Sequence, residues 1–241
     1  MSSFLPVFFY SFIAGLSTIV GVLLVRWAQN WTKRNSLYLI SFAVGVLLAV
    51  AFFNLIPEST ELYNQWYYPA LAAILFFFIL EQYITYHSCH EEECPVQPVA
   101  ITSGLGIGLH SLIDGMVIAV GFEVSPTLGI ITAMAVIFHE LAEGVFSYTL
   151  FIHGGLSIRK SVFYSFLIAL ATPFGAVITF FLLKNISSGI LGILLAFAAG
   201  SFIYIGAADL IPQTHKKSNL WNLLLVLLGV GFIFVLSRFL G

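Results

Sequence analysis

Charge is what this 241-residue sequence has least of: Asp, Glu, Lys and Arg together supply 8% of it, against roughly 25% in a soluble globular domain. That excludes an ordinary soluble protein. Nine basic residues against eleven acidic ones leave a net charge of −2, so the basic footprint of a nucleic-acid binder is missing too. No Walker-type phosphate loop is present, and nothing in the sequence calls for nucleotide as an energy source. The run Gly104-Leu105-Gly106-Ile107-Gly108 resembles such a loop only superficially. It lies inside an apolar segment, where its Gly104/Gly108 spacing reads as a close-packing helix face.

What is there instead is apolar: 60% of the residues are hydrophobic and 16% of the whole chain is aromatic, with a mean hydropathy of +1.02. These values describe an all-α integral membrane protein built as one compact bundle. A span needs about 20 apolar residues, and eight such stretches stand between polar punctuation, at about 4–25, 36–56, 66–86, 99–122, 127–152, 161–183, 188–211 and 220–240. A polar loop, 87–98, separates the third from the fourth. The N-terminal stretch reads as a span and not a secretory signal, because Met1 to Pro6 has no basic residue and the apolar run is too long.

Basic residues orient the bundle. The loops after spans 1, 3, 5 and 7 share one side, which holds Arg26, Lys33, Arg34, Arg159, Lys160, Lys216 and Lys217; the other side holds Lys184 and Arg238. The expectation is that those loops are cytoplasmic and both termini lie outside. Glu58, Glu61 and Glu123 then give the outer side an acidic character that attracts cations.

The sequence also repeats itself. Tyr10-Ser11-Phe12, Leu16, Thr18 and Gly21 in span 1 recur 154 positions later as Tyr164-Ser165-Phe166, Leu170, Thr172 and Gly175 in span 6. Phe42-Ala43, Gly45 and Leu55-Ile56-Pro57 in span 2 recur at an offset of 155 as Phe197-Ala198, Gly200 and Leu210-Ile211-Pro212 in span 7. Relating spans 1–3 to spans 6–8 joins odd spans to even ones. That makes an inverted-topology repeat, a transporter signature with the substrate site expected near the midplane. Asn54, Pro57 and Glu58 then mark the outer end of span 2, and Asp209, Pro212 and Gln213 the inner end of span 7, as candidate polar mouths. The blander reading of each proline is that it terminates its helix.

Spans 4 and 5 carry the chemistry. His110-Ser111-Leu112-Ile113-Asp114-Gly115 and His139-Glu140-Leu141-Ala142-Glu143-Gly144 are one pattern, 29 residues apart. His110 and Asp114 share a helix face at i,i+4, as do His139 and Glu143, with Glu140 at i,i+3 to Glu143. Each buried ionised carboxylate costs about 2.5–3.5 kcal/mol even on lenient scales, and the three would repel one another. No Lys or Arg between positions 35 and 158 can offset them. Either they are protonated or a cation neutralises them. Two imidazoles beside carboxylates favour a divalent transition metal over Na⁺ or Ca²⁺. Interhelical hydrogen bonding is the alternative, and it explains a single histidine better than five ionisable groups in two copies of a motif.

With these motifs the chain resembles the ZIP (Zrt-, Irt-like) family of divalent-metal transporters over essentially its whole length. The resemblance implies eight transmembrane helices in a 3+2+3 inverted-repeat bundle, a homodimer, and a transport site between spans 4 and 5 worked by elevator-like alternating access. It implies a primary site of His110, Asp114, His139 and Glu143, with a second site using Asp114, Glu140, Glu143 and span 6. Three positions depart from the family's pattern: Ser111 stands for its Asn, Ala142 for its Pro, and Thr172 for the span 6 acid. One strong ion site with a weaker neighbour is therefore expected. The loop residues His87, Cys89, His90 and Cys94 could hold a soft metal after release, or simply be a solvated acidic loop. Its two cysteines lie on the reducing side, which argues against a lasting disulfide.

The expected function is uptake of Zn²⁺, or of Fe²⁺, Mn²⁺, Co²⁺ or Cd²⁺, across the plasma (inner) membrane, with the bilayer, the ion and a second copy as partners and no cofactor. The rival is an intramembrane metal-dependent hydrolase with Glu140 as general base, since His139-Glu140-x-x-Glu143 is similar to the zincin arrangement. Against it, the second zincin ligand is normally His, and span 4 duplicates a motif of which an enzyme needs only one more ligand.

Overall fold

Inside a bilayer no water is available to satisfy N–H and C=O groups, so a chain this apolar must close its backbone hydrogen bonds within helices or a barrel. The computed structural model describes residues 4–88, 96–183, 186–215 and 219–240, and among them there is no strand. The helices are α1 (Phe4–Trp27), α2 (Gln29–Val50), α3 (Ile56–Leu62), α4 (Tyr67–Ser88), α5 (Val96–Val124), α6 (Pro126–His153), α7 (Ile158–Leu182), α8 (Ser188–Tyr204), α9 (Ile211–His215) and α10 (Leu220–Leu240). Seven helical segments among the described residues are long and apolar enough to cross a membrane, and Tyr67–Tyr83 of α4 is a shorter apolar one. Spans 1, 3, 4, 5, 6 and 8 are thus α1, α4, α5, α6, α7 and α10. Span 2 comprises α2 and α3, and span 7 comprises α8 and α9. Helix α2 begins seven residues before position 36, and α5 three residues before position 99, so helix extends into both flanking loops.

The prolines do not terminate their helices. Pro57 and Pro212 each lack an amide hydrogen, and the ring of each collides with the carbonyl four residues back. The helix accommodates both by widening to a π turn, Ala51–Leu55 before Pro57 and Ile205–Leu210 before Pro212. It then continues through the proline into α3 and α9. The two wide turns fall at equivalent positions of the internal repeat, so the copies share a backbone deformation as well as a sequence.

The helices pack in two layers that do not follow chain order. Helices α1, α5, α6 and α7 form one, through the α5–α7, α1–α6, α5–α6 and α1–α7 contacts. Helices α2, α3, α4, α8 and α10 form the other, through α2–α10, α4–α8 and α3–α8. Repeat mates share a layer: α1 lies with α7, and α2 with α8. Within a layer, backbones touch. A Cβ on Gly115 of α5 would strike the Thr172 carbonyl of α7, and one on Gly175 of α7 would strike the Leu112 carbonyl of α5. Between layers the contacts include larger side chains, such as Phe42 of α2 edge-on to Phe138 of α6 at 5.1 Å.

Candidate metal centre

Only Val124, Ser125 and Pro126 are needed to turn the chain from α5 into α6. Ser125 caps α6, its hydroxyl accepting from the Leu128 amide at 3.1 Å, and Pro126 fits the first helical turn, where its missing N–H costs nothing. The antiparallel register that follows pairs Asp114 with His139 and His110 with Glu143. His139 Nε2 lies 3.0 Å from Asp114 Oδ2, His110 Nε2 lies 3.1 Å from the same oxygen, and His110 Nε2 lies 3.7 Å from Glu143 Oε2. One donor atom from each of these four residues falls within 4.8 Å of all the others.

The group is dry. Asp114 is 0% exposed, His139 3% and His110 8%. Its protonation pattern is partly dictated by the backbone. The Ala135 carbonyl accepts from His139 Nδ1 at 3.0 Å, and His139 Nε2 is hydrogen-bonded to Asp114 Oδ2 at 3.0 Å. Asp114 Oδ1 and both ring nitrogens of His110 are buried without a hydrogen-bond partner. Buried polar atoms are normally paired. The unpaired His110 Nε2 lies within 3.7 Å of carboxylate oxygens of both Asp114 and Glu143, and an electrophile held between them would pair it. Glu143 is oriented from outside the group by Ser111, whose hydroxyl donates to Glu143 Oε1 at 2.7 Å.

Glu140 is arranged differently. It is fully buried, yet it is not among the four convergent donors. Its two carboxylate oxygens accept from the hydroxyls of Thr18 and Thr172, on α1 and α7. These threonines are repeat mates, so the two copies of the repeat grip Glu140 from both sides. Thr18 was not evident as a site residue from the sequence alone, although its pairing with Thr172 in the repeat was the signal for it.

The remaining candidates lie elsewhere. Asn54 exchanges hydrogen bonds with Ser237 of α10, at 3.0 and 3.2 Å, and is not part of the four-donor group. Glu58 is half-buried on α3 and is not part of the four-donor group. Cys89, His90 and Cys94 lie outside the described residues, as do the side chains of His87 and Asp209. Sequence patterns gave no sign of the aromatic rings that cover the group: Phe77 is edge-on to His110 at 6.0 Å, and Phe202 is edge-on to His139 at 5.8 Å.

Fold and site together define a polytopic, all-helical membrane protein with a buried group of imidazoles and carboxylates able to hold a metal ion. The profile of the family described as "ZIP Zinc transporter" matches residues 87–237, well over half of the chain, and the chain belongs to that family. Curated relatives agree. It is 31% identical over 142 residues to "Zinc transporter foi" of Drosophila melanogaster, covering 57% of this chain and 20% of that protein. It is 26% identical over 144 residues to "Zinc transporter zipt-7.1" of Caenorhabditis briggsae, covering 54% and 37%. It is 30% identical over 112 residues to "Metal cation symporter ZIP14" of Homo sapiens, covering 46% and 22%. The matches thus cover well under half the length of these relatives, which are named as transporters and not as enzymes.

Proposed function

We propose that the chain moves a divalent transition metal ion, zinc foremost, across the membrane through the site formed by His110, Asp114, His139 and Glu143. The observation that carries this reading is the charge balance of the buried group. Two carboxylates neutralise one divalent ion, and two neutral imidazoles complete a four-coordinate N/O shell of the kind zinc takes. Ligands at about 2.0–2.2 Å from a tetrahedral zinc stand roughly 3.4 Å apart, so the longest donor separation would shrink on binding. Glu140, satisfied by its threonines, is then a neighbour of the ion and not a first choice of ligand. This agrees with the single strong site expected from the departures at Ser111 and Thr172.

The two layers support a reading of alternating access. Backbone-to-backbone packing makes the α1/α5/α6/α7 layer resist internal shear, and side-chain contacts across the layer boundary let it shift as a unit. The ligands all sit on that layer, and Phe77 and Phe202, which cover them, on the other. The seven-to-two asymmetry of basic residues supports outside termini and inward transport. A doubly charged ion gains about 4.6 kcal/mol per 100 mV of inside-negative potential, enough to drive uptake without nucleotide. The homodimer and the plasma membrane are carried over from the family. The test is radioactive zinc uptake into proteoliposomes: His110→Ala and Glu143→Ala should each abolish saturable uptake. Unchanged uptake by either variant refutes the assignment.

A further inference from the structure

The covering of the ion cluster has an internal order of its own. Phe77 of α4 meets His110 edge-on, and Tyr204, the last residue of α8, lies nearly parallel over Phe77, with ring centroids 6.1 Å apart and planes 21° apart. The Tyr204 hydroxyl donates to Glu81 Oε2. Glu81 is one helical turn beyond Phe77 on the same face of α4. Exposure changes abruptly along that turn: Glu81 is exposed, whereas Phe77 retains 6% and Tyr204 9% of their surface.

Glu81 lies fourteen residues into α4, about 21 Å along its axis, still at membrane depth. A carboxylate exposed there has to meet water, because hydrocarbon would not tolerate it. Exposed carboxylate and buried ring are thus one helical turn apart, and Phe77 stands directly between Glu81 and His110. Glu81, Phe77 and Tyr204 all belong to the α2/α3/α4/α8/α10 layer, and every ligand to the other.

We propose that the stacked rings of Phe77 and Tyr204 are the barrier that seals the ion cluster from the end of the bundle where α4 terminates. Glu81 is the positioning residue that keeps the Tyr204 ring on Phe77. This rests on the transport reading above and names the residues that make the protein a carrier and not a pore. A tyrosine ring turns about two side-chain torsions, and the hydrogen bond to Glu81 holds it in the stacked position. Without the rings, water would reach His110 from the α4 end in every arrangement of the layers. Whenever the opposite end opened, the path would be continuous.

The test uses the full chain in two assays: zinc uptake into proteoliposomes against zinc concentration, and equilibrium zinc binding to the same purified protein. Phe77→Ala should convert saturable uptake into uptake that keeps rising with concentration, exceeding the unsubstituted maximum by about tenfold or more as water fills the gap left by the ring. Zinc binding should persist, because all four donor residues are retained. Tyr204→Phe and Glu81→Leu should each give a smaller excess flux, and the double variant no more than either single one, because both remove the same hydrogen bond. Saturable uptake at the unsubstituted maximum in Phe77→Ala overturns the barrier. So do additive effects in the double variant, or joint loss of uptake and binding in Phe77→Ala, which would make the ring structural packing. An unsubstituted chain that binds zinc but shows no saturable uptake overturns the transport reading itself, a result distinct from all of these.

Discussion

Asp114→Asn is the most informative single change, because Asp114 Oδ2 is the one atom that both imidazoles approach, at 3.0 and 3.1 Å. Asparagine keeps the size and shape of the side chain and removes its charge. With zinc bound, the group would change from neutral to a net charge of +1 in a site that is 0–8% exposed at Asp114, His139 and His110. Leaving one buried charge uncompensated costs about 3–5 kcal/mol, and at 1.36 kcal/mol per decade that is on the order of 10³-fold in zinc affinity. The control is Glu140→Gln. Both Glu140 oxygens already accept from Thr18 and Thr172, and a glutamine can keep partners there, so zinc binding should weaken by no more than about tenfold, a single hydrogen bond's worth. The assay is competition against a chromophoric zinc chelator with purified protein at neutral pH, supported by thermal melting. Zinc should raise the melting temperature of the unsubstituted chain and of Glu140→Gln, and leave that of Asp114→Asn unmoved. The reasoning fails if Asp114→Asn binds zinc nearly as well as the parent, or if Glu140→Gln loses as much as Asp114→Asn.

Ser111→Ala removes the 2.7 Å hydrogen bond that orients Glu143. A bond to a charged group is worth about 1.5–3 kcal/mol, so the same titration should show affinity falling by roughly 10- to 100-fold; an unchanged value would mean that Glu143 needs no orienting partner. Protons compete with the ion for the same four donors, so apparent zinc affinity should decline as the pH is lowered. An affinity independent of pH would argue against ligation by these imidazoles and carboxylates. Gly115→Leu drives a side chain into the Thr172 carbonyl and the Ala176 amide of α7; backbone cannot move aside as a side chain can, so the cost should reach or exceed the roughly 1–3 kcal/mol of ordinary overpacking, read as a lowered melting temperature without zinc. A melting temperature equal to the parent's would refute the backbone-to-backbone packing of the layer.

The membrane class was legible because composition alone decides it. A chain with 8% charged residues cannot cover itself for water, and one with no basic residue from 35 to 158 has no amine with which to offset acids in that stretch. The four convergent donors were legible for a related reason. Helical periodicity places i and i+4 on one face, and a short α5–α6 connection can only bring two such faces together antiparallel. Glu140 shows where periodicity stops being sufficient. Its spacing from Glu143 fits the ligand patch equally well, yet its carboxylate is drawn to Thr18 and Thr172, which lie 122 and 32 positions away.

The sequence by itself thus determined the solvent, the helical class, the repeat, and the donor set on spans 4 and 5, since each depends on composition or on local spacing. Only the tertiary structure decided the sorting of the spans into two layers, the π turns that carry the helices through Pro57 and Pro212, and the engagement of Glu140 by Thr18 and Thr172. It alone decided the aromatic cover of Phe77, Phe202 and Tyr204 as well. The physical reason is that apolar membrane helices look alike to one another in sequence. Which of them touch is settled by small residues and isolated hydroxyls meeting across helices, and those meetings exist only once the chain has folded.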